Sequence, residues 1–214
     1  MRIRWYGHAC WRISFPNNIS LLTDPFKKGS FDNKLRYDDN FARSDIVTIS
    51  HEHDDHNNRV FSNAKYIDRP GQIEIDGIRI TGYGVYHDKN QGEDRGSNTI
   101  FIIEHNRKKM VHLGDLGHIP SDDIIEYMKA ADILFIPVGG YFTIEPEEAV
   151  KLIKLINPDA VFPMHYKTGK VDFPIRPVDD FLKLIKSRKI LRIDKPYVDY
   201  DGFQSNSIVT LNYS

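Results

Sequence analysis

Short apolar runs separated by polar breaks dominate the first half of the chain, and the period of the apolar positions lengthens in the second half. Residues 2–6, 10–15 and 19–23 are rich in β-branched and aromatic side chains and are divided by Gly7-His8 and Pro16-Asn17-Asn18. They predict an antiparallel meander. Residues 45–49, 64–68, 72–75, 78–82, 98–104 and 109–113 continue the strand pattern, the last two joined through His105-Asn106-Arg107. A short helix is expected over 57–63. Residues 25–44 and 88–97 are polar and glycine-containing, which predicts a surface loop near a site mouth for the first and a second loop for the other.

From residue 115 apolar positions recur at helical spacing. Ser121 precedes Asp122 and Asp123 as a helix start, with Ile124, Ile125 and Met128 on one face. Pro146 opens a helix whose Ala149, Leu152, Ile153 and Ile156 fall at i, i+3, i+4 and i+7 before Asn157-Pro158 stops it. Pro177 starts a third with Val178, Phe181, Leu182 and Ile185 inward, and strands are expected at 132–137, 160–163, 189–193 and 207–211. Strands first, then mixed strands and helices, predict an α/β fold of two packed sheets with helices outside. No repeat, low-complexity tract or linker divides 1–214, so one domain is expected.

Chemistry concentrates in Ser50-His51-Glu52-His53-Asp54-Asp55-His56, directly after the apolar run 45–49. Imidazole nitrogens from His51, His53 and His56, with a carboxylate from Asp54 or Asp55, suit Zn²⁺ and its first-row neighbours. Alternation along an extended exit sends His51 and His53 one way and Asp55 and His56 toward an adjacent volume, which predicts two metal sites side by side. His87 and His165 also follow apolar strands, where ligands converge if strand ends share one face. Asp115, flanked by Gly114 and Gly117, ends another strand and suits a carboxylate bridging two cations. His112, inside its strand, is expected to be buried behind the ligands, and His105 to be solvated. His8 and His118 suit either a structural role or a place beside the ligands or substrate.

Composition narrows the partners. The 214 residues carry a formal charge of −1, so no global basic field invites nucleic acid. The single Cys10 excludes an internal disulfide and a cysteine-rich metal site. No eighteen-residue apolar run or leader-like segment is present, and a cytoplasmic, non-membrane protein is expected. The chain carries no signal for a particular oligomeric state.

His51-x-His53-x-Asp55-His56, followed in order by His87, Asp115 and His165, resembles the signature of the metallo-β-lactamase superfamily. Trp5-Tyr6-Gly7-His8-Ala9, Thr23-Asp24-Pro25-Phe26, Gly96-Ser97-Asn98, His112-Leu113-Gly114-Asp115-Leu116-Gly117, Pro137-Val138-Gly139-Gly140 and Pro163-Met164-His165-Tyr166 resemble its small branch of ascorbate-6-phosphate lactonase-like proteins. The resemblance implies a four-layer αββα sandwich with two divalent ions, zinc foremost and manganese or iron as substitutes, in a groove at the sheet edges. His51, His53 and His87 would hold the first, Asp55, His56 and His165 the second, and Asp115 both. Asp54 would point away, and Asp24 would orient a ligand histidine.

The expected activity is hydrolysis of an ester, lactone or phosphodiester-type small substrate, with Asp55 or Asp115 accepting or relaying a proton. Arg95, Asn98, Tyr141, Tyr166 and Lys167 are candidate contacts, Arg95 and Lys167 suiting an anionic group. Three alternatives compete. A di-iron redox protein is disfavoured by histidine at position 53, where such members carry glutamate, and a nuclease by the lack of a clamping domain or basic arm. A non-catalytic metal-binding sensor would keep the same ligands.

Overall fold

The computed structural model, which describes residues 1–200 and 206–213, pairs the apolar runs into two sheets. β1 (Arg2–Gly7), β2 (Cys10–Ser14), β3 (Ser20–Thr23), β4 (Ile46–Thr48), β5 (Lys65–Ile67) and β13 (Tyr197–Asp199) form a six-stranded sheet, in the order β13-β1-β2-β3-β4-β5. The opening meander is antiparallel as expected, whereas β3, β4 and β5 run parallel, with Thr23 opposite Thr48 and Thr48 opposite Ile67. β13 lies outside the sequence expectation. It caps the sheet edge by pairing antiparallel to β1.

β6 (Gly71–Ile75), β7 (Ile78–Tyr86), β8 (Ser97–His105), β9 (Lys108–His112), β10 (Ile133–Pro137), β11 (Ala160–Met164), β12 (Lys189–Ile193) and β14 (Ser207–Leu211) form the second sheet. Its order is β12-β14-β11-β10-β9-β8-β7-β6, antiparallel from β6 to β9 and parallel from β9 to β12. The parallel strands need crossover connections, supplied partly by α2 (Asp122–Met128), α3 (Pro146–Ile156) and α4 (Val178–Leu184). α3 starts on Pro146, with the Glu145 amide donating to the Glu148 side chain at 2.9 Å, and stops where Asn157 turns left-handed. Its buried Ala149, Leu152, Ile153 and Ile156 face the core, the stripe that the spacing predicts.

Two tryptophans join the sheets. Trp5 and Trp11, opposite one another on β1 and β2, stack at 5.6 Å, and Trp11 meets Phe135 of β10 at 4.8 Å and Phe162 of β11 at 5.5 Å. A second apolar cluster contains Tyr6, Cys10 and Leu22 of the first sheet together with Phe26, Leu35, Tyr37 and Phe173. Loops and the single turn α1 (Ser30–Asn33), left-handed at Phe31 and Asp32, thus supply much of the layer over the first sheet.

Two expectations are corrected here. Residues 57–63 form no helix: Asn58 donates its amide to Pro25 O and its side chain to Phe26 O, both at 2.8 Å. These bonds hold the segment against the 25–26 corner, and asparagine resists helix. Residues 25–44 do reach the site mouth as a largely exposed loop, but Phe26, Leu35 and Tyr37 are fully buried and anchor it in the core, which its polar composition did not predict.

Candidate metal centre

The sandwich brings the ends of β3, β4, β7, β9 and β11 to one edge, and the residues that follow them form a buried cluster. His87 directly follows β7, His165 directly follows β11, and Asp115 and the His51–His56 segment follow β9 and β4. Donor atoms fall into three overlapping groups, each within 4.8 Å: His51, His53 and His87; His8, Asp55, His56 and His165; and His51, His56 and Asp115. Asp115 Oδ2 lies 3.1 Å from His165 Nε2, 3.3 Å from His56 Nε2 and His87 Nε2, and 4.0 Å from His51 Nε2. The seven residues singled out as ligands are therefore brought together, with Asp115 between the others. Asp54 is exposed, on the outside of the turn.

A layer of polar residues behind the cluster fixes the rings. The fully buried Asp24 accepts from Ser50 N at 2.7 Å, Ser50 Oγ at 2.7 Å and His56 Nδ1 at 3.0 Å. His51 Nδ1 donates to Ser50 Oγ at 2.9 Å. With Nδ1 of both rings committed, the Nε2 lone pairs of His51 and His56 face the centre. His112 is buried as expected, its Nε2 donating to Ala9 O at 2.9 Å and its Nδ1 accepting from Gly114 N at 3.3 Å. Asn98 donates to Leu113 O at 2.9 Å and accepts from Asp115 N at 3.0 Å, so it sets the Asp115 loop and is not a substrate contact.

Close backbone approach completes the frame. Gly114 has φ +53, and a side chain at Gly117 would collide with the backbone of His87. His8, Asp24 and His165 are left-handed with φ of 51, 39 and 51°. Non-glycine residues held this way are uncommon and cluster where surrounding structure fixes them for function. The His165 amide donates to His8 O at 3.2 Å, and the two rings lie 4.1 Å apart. His8 Nε2 donates to Asp55 Oδ2 at 2.9 Å, which resolves the open reading of His8 in favour of a place beside the ligands.

Electrostatics fit a cation. Burial, then the neighbouring histidines, pushes the His51 imidazole down to about 3, and burial followed by His165 pushes His8 down to about 4. Burial also lowers His87. The buried rings are thus held neutral, the form that ligates metal. Burial alone would raise Asp115 and Asp55 and lower His56, but the pairing of these carboxylates with the histidines outweighs it. Asp115 and Asp55 are driven well down and His56 well up. His51 Nε2, His56 Nε2 and Asp115 Oδ1 are buried without a hydrogen-bond partner, as a neutral-imidazole and carboxylate set for a divalent ion requires.

The cluster floors a cavity of about 420 Å³ lined by His53, Asp55, His87, Asp115 and His165 below and by Phe31, Lys34, Arg95, Tyr141, Phe142, Phe173 and Pro174 around the mouth. Arg95 and Tyr141 are where the sequence puts them. Two expected contacts, Lys167 and Tyr166, are not. Lys167 Nζ is tied to Asp172 Oδ1 at 3.1 Å and Phe173 O at 2.9 Å, outside the cavity lining. Tyr166 is buried against Trp5 at 5.2 Å, since its side chain turns inward from the His165 corner. His118 accepts from Tyr86 N at 3.2 Å and donates to Ile119 O at 2.9 Å, the structural role among its two open readings. His105 is partly buried, bonded to Gly77 O at 3.0 Å and edge to face with Phe15 at 5.1 Å, and is not simply solvated.

Sequence reasoning missed Ser50, Asp88, Lys34 and the phenylalanines of the mouth. Ser50, adjoining His51 and able to bridge it to an upstream carboxylate, was the one with a readable signal.

Comparison with known proteins agrees with the geometry. The Beta-lactamase superfamily domain model matches residues 2–165. A UPF0173 metal-dependent hydrolase of Methanocaldococcus jannaschii is 30% identical over 85% of this chain and 90% of its own length. Another from Thermoplasma volcanium is 27% identical over 80% and 86%. The solved structure of a proposed Zn-dependent hydrolase of the metallo-β-lactamase superfamily from Thermotoga maritima shares 33% identity, covers 99% of this chain and 100% of its own, and superposes with a TM-score of 0.78. With the strand-end cluster and the sandwich both in place, the chain belongs to the metallo-β-lactamase superfamily.

Proposed function

We propose that this protein is a metal-dependent hydrolase that uses two divalent ions, zinc foremost, to cleave an ester, lactone or phosphodiester-type small substrate. The observation that carries the reading is Asp115, whose Oδ2 lies within 3.1 to 4.0 Å of Nε2 atoms from His51, His56, His87 and His165. One carboxylate shared between two donor groups suits a pair of ions and exceeds what one ion needs. His51, His53 and His87 would hold one ion, Asp55, His56 and His165 the other, and Asp115 both. When bound, such ions supply Lewis-acid activation of water and of the scissile oxygen.

The chain's own part is orientation and proton handling. Asp55 Oδ2, held by His8 at 2.9 Å, is placed to accept or relay a proton beside the reacting centre. The Asp24–Ser50 pair keeps His51 and His56 aimed inward. The named metal-dependent hydrolases among the relatives support the reaction class. The test is turnover of aryl esters, lactones and phosphodiesters before chelation, after it, and after zinc or manganese is returned. Turnover that disappears and returns with the metal is expected. Turnover that survives metal removal, or none in the loaded protein, contradicts the reading.

A further inference from the structure

Two features of the cavity mouth are left unused by the metal cluster. The first is an aromatic wall: Phe31 and Phe173 meet edge to face at 5.6 Å, Phe173 and Phe142 at 5.7 Å, and Phe142 and Tyr141 at 4.7 Å. Phe31 and Tyr141 remain 45% and 59% exposed although they are large and sit at a cavity mouth, and Tyr141 is held left-handed at φ 64. Contiguous exposed apolar surface beside a cavity marks a ligand-binding surface. The second is a pair of cations, Lys34 and Arg95, whose side chains make no ion pair with a carboxylate among the described residues. Lys167, outside the lining, is by contrast paired with Asp172 at 3.1 Å.

Arg95 is also held in place. The carboxylate of Asp88, next to His87, accepts backbone amides from Asn90 and Gly92 at 2.8 Å each through Oδ1, and from Asp94 at 3.2 Å and Arg95 at 2.8 Å through Oδ2. Four charge-assisted bonds fix the 88–95 loop. They set the guanidinium 5.6 Å over the Phe142 ring, at the end of the aromatic wall. Arg95 also lines a second, more open cavity of about 440 Å³ containing Ser97 and Arg69, so it stands at the junction of the two.

We infer that the cavity takes anionic substrates bearing an aryl or bulky alkyl group, the apolar part against Phe31, Phe142 and Phe173 and the negative charge between Arg95 and Lys34. The inference rests on the hydrolase reading for its chemistry, but the binding it describes belongs to the mouth alone. A volume near 420 Å³ matches a compact small molecule. A planar guanidinium over a ring presents donors to an oxyanion while the ring below accepts an aromatic group. Arg95 and Lys34 are thus specificity residues.

The test is equilibrium binding to the zinc-loaded protein of three probes: naphthalene-2-sulfonate, neutral 2-naphthalenemethanol and inorganic sulfate. The sulfonate should bind about tenfold or more tightly than either of the others, since it alone meets both features. Arg95→Ala with Lys34→Ala should abolish that advantage while leaving the neutral probe unchanged, and Phe142→Ala should weaken both naphthalene probes. Arg95→Lys should restore part of the preference. Equal binding of charged and neutral probes, no binding of the sulfonate, or an advantage that survives the double substitution overturns the inference. Sulfonate binding without turnover of any ester would instead count against the hydrolase reading and leave the mouth's preference standing.

Discussion

The floor and the mouth of the cavity are built by different parts of the chain under different constraints. The floor is made of residues that follow strands, with His87 after β7 and His165 after β11. Asp24, Ser50, Asn98 and His112 fix its rings and carboxylates from behind, all buried. The mouth is made of loop residues, Phe31 and Lys34 from the 25–44 segment, Arg95 from the loop that Asp88 organises, and Tyr141 and Phe142 beyond β10. A floor held by strands and hydrogen bonds can keep one chemistry constant while a mouth held by loops sets what is admitted.

Substitutions that separate the two test this division. The largest effect is expected at the floor, where Asp115→Ala should reduce kcat/KM by roughly a thousandfold, the loss of several kcal/mol of charge stabilisation. Steady-state kinetics alongside circular dichroism would check it, and an unchanged rate would break the comparison. Next, Asp24→Ala should weaken metal affinity by about 10- to 100-fold, because His56 and the Ser50–His51 pair lose their anchor. Competition titration with a chromogenic chelator measures this directly. At the mouth, Asp88→Ala should raise KM by roughly two- to tenfold with metal content unchanged, since Arg95 must then be ordered on binding. Metal loss in that variant would mean that floor and mouth are not separable. Smallest of all, Lys167→Ala and His118→Ala should each change kcat/KM by less than about twofold, because both side chains bond structural partners away from the cavity.

The same division explains what the sequence allowed. Strand ends are legible because a short apolar run stops abruptly, and metal ligands are legible because His51, His53, Asp55 and His56 crowd into one such exit. Asp115 and His165 could be placed by the same rule. Tyr166 and Lys167 were misplaced because the rule gives no direction after the strand ends. His165 turns left-handed, φ 51°, sending Tyr166 into the core. Lys34 and Phe31 were hidden because their approach to the cavity depends on three successive left-handed residues in α1, Phe31 to Asn33, and on the burial of Leu35 and Tyr37 beside them, a tertiary fact. The helix expected over 57–63 failed for a related reason, since Asn58 takes its partners from 25–26, far away in sequence. The two sheets and the three longer helices were readable from periodicity, while the aromatic loops over the first sheet were not.

The central claim is a pair of ions sharing Asp115, and elemental analysis of protein purified without chelators and quantified by amino-acid analysis tests it most directly. The account predicts two equivalents of divalent metal per chain, falling to one or fewer in Asp115→Ala. A wild-type chain that holds one equivalent or none, even after dialysis against zinc and removal of the excess, would contradict it.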